Sequence, residues 1–191
     1  MVAGFSAAQG SLSIRPLAAG DGPHLYRWLN DPTVLTYYDG RDTPADWDYI
    51  EHHYMRKTGH PVQGCMVEWH NKPAGFLQVY PLHFKDVERF GFPAYEYSVG
   101  MDMFLGETSL WGHGLGTQLT RLASDTLLNY WGAHRVILDP RISNARAVHV
   151  YQKCGFVILK RLICHEYHEG VWEDCGVWVD RMMTPVELPD P

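Results

Sequence analysis

Between Trp111 and Gly116 the chain reads Trp-Gly-His-Gly-Leu-Gly, then runs straight into a segment with apolar residues at helical spacing. A glycine-rich turn that opens a helix makes an anion site. The glycines let the backbone approach closely, and the unpaired N–H groups of the first turn point at the ligand with the helix dipole behind them. Gly112, Gly114 and Gly116 supply that pattern. A dinucleotide fold needs its glycines after the first strand and an acid about 20 residues on. A phosphate loop needs Gly-Lys-Ser/Thr, whereas Gly116-Thr117-Gln118 has no Lys. Placement therefore excludes both nucleotide readings, and a merely flexible turn is the plainer alternative.

The acids are the second feature. The formal net charge is -6, which excludes DNA or RNA as the main partner because phosphate contacts need a basic surface. Residues 166–191 hold seven acids against Arg181, and Asp31 to Glu51 hold six against Arg41. These are either two solvated faces or two walls that converge on a cation. Aromatics reach 13%, as core filler or as the lining of a cleft for ring-shaped ligands. Asp139 ends a short apolar run, and the carboxyl end of a buried strand is where open α/β sheets read ligands. The dense group Cys164-His165-Glu166-Tyr167-His168, with Cys175 beyond, lacks paired metal-ligand spacing, and a strand would turn His165 and His168 to opposite faces. No metal is expected.

Elements that would position these groups follow from periodicity. Ser11–Pro16 is a weak first strand. Asp21 N-caps a helix to Asn30 with Leu25, Trp28 and Leu29 on one face, and Thr43-Pro44 opens a second over Ala45–Arg56 bearing Trp47, Ile50 and Tyr54. Val62–Trp69 and Ala74–Tyr80 form a hairpin across His70–Pro73, Leu82–Pro93 is irregular, and Tyr95–Leu105 is strand. Thr117–Trp131 is helical through Leu115, Leu119, Leu122, Leu127 and Tyr130. Arg135–Asp139 is a doubly buried strand, and Ser143 or Asn144 caps a helix that turns Ala147, Tyr151 and Cys154 inward and stops at Gly155. Phe156–Cys164 and Val171–Val179 close the chain around Glu169-Gly170. The order predicts one α/β domain over residues 11–181, a mixed and mostly antiparallel sheet of about seven strands flanked by helices, with flexible termini at 1–10 and 182–191. No apolar run spans a bilayer and no signal peptide opens the chain, so a cytoplasmic protein with four free thiols is expected.

These segments resemble a known family. Gly112–Thr117 before a helix, Val136–Pro140 ending in Asp-Pro, and Asn144–Phe156 (Asn-x-x-Ala-x-x-x-Tyr-x-Lys-x-Gly-Phe) resemble the coenzyme A-binding half of GNAT acetyltransferases. Trp28-Leu29, Tyr38–Asp42, Tyr97–Gly106, His168-Glu169-Gly170 and Glu173-Asp174-Cys175 are similar to the aminoglycoside 6′-N-acetyltransferases, and the likeness runs from about Ile14 to Asp180. One position departs: in the loop pattern Q/R-x-x-G-x-G the first place is held by Trp111. The amide cradle survives that change, and any guanidinium contact from this position is lost.

The resemblance implies an acetyl-CoA-dependent transfer to a primary amine by direct attack. It places the pyrophosphate on the amides of His113, Gly114, Leu115, Gly116 and Thr117. The pantetheine arm would lie on the backbone of Met103 and Phe104, on a strand splayed from its neighbour, and Asn144, Ala147 and Lys153 would contact the cofactor from the next helix. Lys153 would otherwise read as a solvated helix charge. Asp102 becomes the base that takes the amine's proton, and Tyr151 the acid that protonates the departing thiolate. Without the motif, Asp102 is a surface residue of a strand and Tyr151 a core tyrosine. Tyr38, Asp39, Asp139 and Glu166 would line an acidic, aromatic cleft suited to an aminoglycoside, a polycation with apolar ring faces. The implied protein is a monomer or homodimer. Rival readings are an acyltransferase of N-hydroxylated amines in siderophore assembly, whose members tend to carry His at the Asp102 place, acetylation of protein or peptide amines, and a non-catalytic acyl-coenzyme A sensor.

Overall fold

The computed structural model describes residues 4–55 and 61–180. Strands β1 (Ala7–Gln9), β2 (Leu12–Pro16), β3 (Gln63–Trp69), β4 (Lys72–Pro81), β5 (Ser98–Leu105), β6 (Arg135–Leu138), β7 (Val157–His168) and β8 (Val171–Val179) form one sheet in the order β1-β2-β3-β4-β5-β6-β8-β7. Every neighbouring pair is antiparallel except β5–β6. The eighth strand beyond the expected seven is β1, within the segment read as a flexible terminus; Phe5 just before it is fully buried. The second flexible segment, 182–191, lies outside the described residues.

Helices α1 (Gly22–Trp28), α2 (Pro32–Leu35) and α3 (Trp47–Ile50) cover one face of the sheet, and α5 (Leu115–Asn129) and α6 (Ala145–Lys153) the other. Strand alternation separates the two cores. Cys65, Val67, Leu77, Val79 and Met101 point to α5, packing on Leu119, Ala123 and Leu127. Met66, Phe76 and Phe104 point to Leu25, Trp28 and Ile50. Even-numbered residues of β5, Asp102 among them, therefore face the α1–α3 side. Gln78 stands opposite Asp102 in the β4–β5 register.

Local chemistry altered several boundaries. Asp21 makes no N-cap bond; its carboxylate accepts from Arg15 at 2.7 and 2.9 Å and from the Ala18 N–H at 2.7 Å, ending a 3-10 turn ahead of α1. Asp46 caps α3 instead of Thr43-Pro44, by accepting from the Tyr49 N–H at 2.7 Å, and a π-helical turn over Glu51–Met55 follows. Ile50 and Tyr54 are buried while Trp47 stays exposed; Arg56 lies outside the described residues. Leu82–Pro93 is not irregular but holds α4 (Phe84–Phe90), with His83 accepting from Lys85 N–H and Gly91 in the left-handed region at φ 76°. On α5 the buried stripe runs through Ala123, and Tyr130 lies beyond the helix, exposed. The β3–β4 turn is tighter than expected: His70 and Asn71 both have positive φ (51° and 58°), the two-residue type that matches strand twist.

Candidate active site

The parallel pair β5–β6 joins only Ser98 to Arg135, Val99 to Val136 and Gly100 to Ile137. Beyond Gly100 the two strands part: β6, paired on its other edge with β8, ends at Leu138, while β5 runs on to Leu105. Met101–Leu105 thus have no strand on their β6 side, and that opening is the floor of a cleft of about 780 Å³. Met103, Phe104, Gly112, Gly114, Gly116, Thr117, Asn144, Ala147, Tyr151 and Lys153 line one part of it, and Tyr38, Asp39, Asp102, Asp139 and Glu166 another. His113 and Leu115 do not line it by side chain: His113 is exposed and Leu115 is core. Their expected part was a backbone one.

Local geometry explains the anion end. Gly112 and Gly114 sit at φ 80° and 83°, a region closed to most side chains. Gly114 is the N-cap of α5 and supplies no side-chain bond; the first helical bond runs from Gln118 N–H to Gly114 O at 3.1 Å. Amides of the first turn thereby face outward at the positive end of a 15-residue helix. Asn144 has a structural duty the motif did not disclose, because its Oδ1 accepts from the Ala147 N–H at 3.1 Å and caps α6.

At the other end, Asp102 is half-buried and held at both oxygens. Gln78 Nε2 donates to Oδ2 at 2.7 Å and Tyr80 Oη to Oδ1 at 3.1 Å. Gly100 makes this possible, since a Cβ there would stand 2.3 Å from the Tyr80 ring. Tyr54 donates to Asp39 Oδ2 at 3.2 Å, and Tyr38, ring to ring with Phe104 at 4.7 Å, hydrogen-bonds Tyr54. Asp39 takes φ 62°, which aims its carboxylate inward, though its outer edge is exposed.

Burial lifts the carboxyls of Asp39, Asp139 and Glu166 above their ordinary range; Glu166 adds to the shift at Asp139, while Arg141 draws Glu166 back. Arg141 is itself buried, with Nη1 3.5 Å from Glu166 Oε1 and Nη2 donating to Thr36 O at 3.3 Å. It offsets one acid of the cleft. Tyr151 is buried at 7% exposure, and its phenol is held well above the ordinary value by burial and by the charges of Asp102 and Asp139. It carries its proton at neutral pH.

Sequence reasoning missed Gln78, Tyr80 and Tyr54. The first two had a signal: polar residues at alternate places after Phe76, on the face of β4 that meets Asp102. Tyr54 was read only as the apolar face of a longer helix. All four cysteines are free thiols, and among the described residues no cluster of His, Cys, Asp and Glu has metal-holding geometry. Among them, too, no helix is long and apolar enough to cross a membrane.

The chain is similar to several known acetyltransferases. Aminoglycoside N(6′)-acetyltransferase type 1 of Klebsiella pneumoniae is 26% identical over 149 residues, covering 76% of this chain and 74% of that protein. In structure, the spermidine N-acetyltransferase of Vibrio cholerae in complex with CoA and spermine superposes with a TM-score of 0.74 at 20% identity, over 90% of this chain and 95% of that one. The aminoglycoside acetyltransferase AAC(6′)-Ib in complex with ribostamycin and coenzyme A gives 0.68 at 24% identity, over 90% and 93%. The family model described as an acetyltransferase (GNAT) domain matches residues 18–163. With most of its length under that match, the chain belongs to the GNAT family of acetyltransferases and takes its acetyl group from acetyl-coenzyme A.

Proposed function

We propose that the enzyme transfers the acetyl group of acetyl-CoA to the 6′-amine of an aminoglycoside. The observation that carries this reading is the juxtaposition of Asp39, Asp102 and Asp139, walled by Tyr38 and Tyr54, with the open edge of β5 where the thioester would lie. Several amines on a ring-shaped scaffold match several carboxylates between aromatic walls.

The chemistry follows from the positions. An aminoglycoside amine arrives protonated, and only the neutral amine attacks a thioester. Asp102, oriented by Gln78 and Tyr80, accepts that proton directly or through water. The nitrogen lone pair adds to the thioester carbon, and an N–H on the unpaired side of β5, at Met103 or Phe104, stabilises the oxyanion. As the intermediate collapses the C–S bond breaks, the Tyr151 hydroxyl gives its proton to the thiolate, and the nitrogen, now part of the amide, gives up its second proton, which restores the tyrosine. Amides of residues 113–117 hold the pyrophosphate, with Asn144, Ala147 and Lys153 along the cofactor's other side. Asp139 and Glu166 bind the remaining amines.

A carboxylate at position 102, rather than the His of the siderophore-type acyltransferases, argues against an N-hydroxylated acceptor, and the oriented Asp102 argues against a mere sensor. The deciding experiment follows thiol release from acetyl-CoA with kanamycin-like, gentamicin-like, polyamine and hydroxylamine acceptors. Turnover confined to aminoglycosides supports the proposal. Equal or better use of the hydroxylamine or of a linear polyamine overturns it.

A further inference from the structure

Arg41 and Glu169 lie 128 positions apart in the chain and meet through a single carboxylate. The Arg41 Nε donates to Glu169 Oε1 at 2.6 Å, its Nη2 to Oε2 at 2.5 Å, and its backbone N–H to Oε1 at 3.0 Å. Side-chain pairs as exposed as this one add little to stability. This pair also binds main chain, so it fixes where the Arg41 backbone lies. Hydrogen bonds from Arg41 hold the Glu169 carboxyl down at about 2, and the contact stays charged across the neutral range. Glu169 and Gly170, at φ 48° and 85°, form the two-residue turn between β7 and β8. Such a turn favours Asn, Asp or Gly at its first place. A longer acid stands there instead, and its length is what reaches Arg41.

Neighbouring residues repeat the tie. Gly40 is buried against the end of β7, where a Cβ would stand 3.2 Å from His168 Nδ1 and 2.8 Å from Asp42 Oδ1. Arg141, beyond β6, donates to Thr36 O at 3.3 Å. Thr36, Gly40 and Arg41 are therefore fastened to the β6–β8–β7 arm of the sheet. Between them, Tyr38 and Asp39 are anchored to the other arm, through the Phe104 ring and the Tyr54 hydroxyl. Residues 36–42 thus form a strap across the acceptor end, between two arms that the sheet itself joins by three residue pairs.

We propose that Arg41 and Glu169 are positioning residues for the acceptor: clasped together, they hold the strap, and with it Tyr38 and Asp39, in place at the acceptor end of the cleft. Neither touches the reacting atoms. The inference rests on the reading that an amine acceptor binds between Asp39 and Asp102, and not on which amine it is.

The test is the steady-state kinetics of Glu169→Asn and Arg41→Gln, with kanamycin or whichever amine of the panel the wild type turns over. Asn suits the turn better than Glu but is too short and uncharged to replace it, so Glu169→Asn should melt no earlier than wild type. Each variant should raise the acceptor KM roughly 5-fold or more, the scale of a lost charge-assisted bond. Both kcat and the coenzyme A affinity, read by calorimetry, should hardly change. Arg41→Gln is the sharper of the two. Removing a cation beside an acidic cleft would by charge alone tighten a cationic acceptor and lower KM, whereas the clasp demands a rise. The double variant should be no worse than the poorer single one, because both cut the same tie. A lower or unchanged KM in Arg41→Gln overturns the inference, and so do additive losses in the double variant. A joint fall in kcat, coenzyme A affinity and melting temperature also overturns it, by making the pair a stabiliser of the fold. Asp39→Asn separates the inference from the reading beneath it. A raised KM there with none in the clasp variants sinks the clasp alone, and no change there sinks both.

Discussion

Gln78 and Asp102 face each other across the β4–β5 register, and the carboxamide nitrogen of one donates to the carboxylate of the other over 2.7 Å. The donor is neutral, so it orients the carboxylate without supplying a competing cation, and Tyr80 does the same for the other oxygen. A carboxylate held this way is fixed in orientation at the wall of the cleft.

Asp102→Asn keeps the shape and removes the proton acceptor, so turnover should fall roughly 100-fold or more. Coenzyme A affinity should hardly change. Gln78→Leu and Tyr80→Phe, which loosen the carboxylate but leave it present, should cost far less. Steady-state rates at neutral pH decide the matter, and near-wild-type turnover in Asp102→Asn would remove Asp102 from the mechanism.

Gly114→Val should abolish coenzyme A binding. At φ 83° a β-branched residue is strained whatever its surroundings, and its side chain would intrude on the first-turn amides of α5. Gly116 has an ordinary helical φ with only Val150 near at 3.8 Å, so Gly116→Val should act through crowding of the phosphates alone and leave folding intact. Calorimetry on folded variants reports both, and undiminished affinity would move the phosphate site elsewhere.

Asp139→Asn should raise the acceptor KM more than it lowers kcat, the mark of lost uniform binding. A tetra-amino sugar should suffer more than a monoamine. Added salt should weaken the sugar's binding steeply, because half-exposed charges are screened over about 8–10 Å at physiological ionic strength. A monoamine used as well as kanamycin, with no salt effect, would count against the polycation cleft.

The same residue predicts a pH effect on stability. Asp39, Asp139 and Glu166 have raised carboxyl pKa values in the folded state, so the native protein binds more protons than the unfolded chain between the ordinary value of about 4 and those raised values. Stability therefore falls as pH rises through that window, and the penalty persists at neutral pH. Asp139→Asn should lift the melting temperature at pH 7 and change it little at pH 4. A lower melting temperature at pH 7 would mean that Asp139 stabilises the fold.

The sequence made the cofactor end more legible than the acceptor end, for a physical reason. Gly112, Gly114 and Gly155 are read by backbone conformation, which few other residues can adopt, so their types and spacing announce the turn. The acceptor end is assembled from β4, β5, the residues after α2, the residue after β6 and the end of β7, and its contacts are long-range. Gln78 and Tyr80 are ordinary strand residues until the register with Asp102 is known. Arg141 reads as a loop cation, and only tertiary packing buries it beside Glu166. Local helix signals failed where a side chain had a better partner: Asp21 is engaged by Arg15 rather than by the helix it precedes.

The gap in the sheet beyond Gly100 has a consequence for the lifetime of the protein. A row of interior backbone groups on β5 has no strand beside it, so a donor bound there as proposed would serve as a removable strand between two arms that three residue pairs join directly. Anything that binds only the folded state adds RT ln(1 + [L]/Kd), about 2.7 kcal/mol at a hundredfold excess over Kd. Amide exchange at residues 101–105 and 135–138 should slow sharply when coenzyme A is added, while β2 and β3 stay unchanged. In a cell poor in acetyl-CoA this enzyme would open more often and be degraded sooner, so its abundance would follow the supply of its own donor.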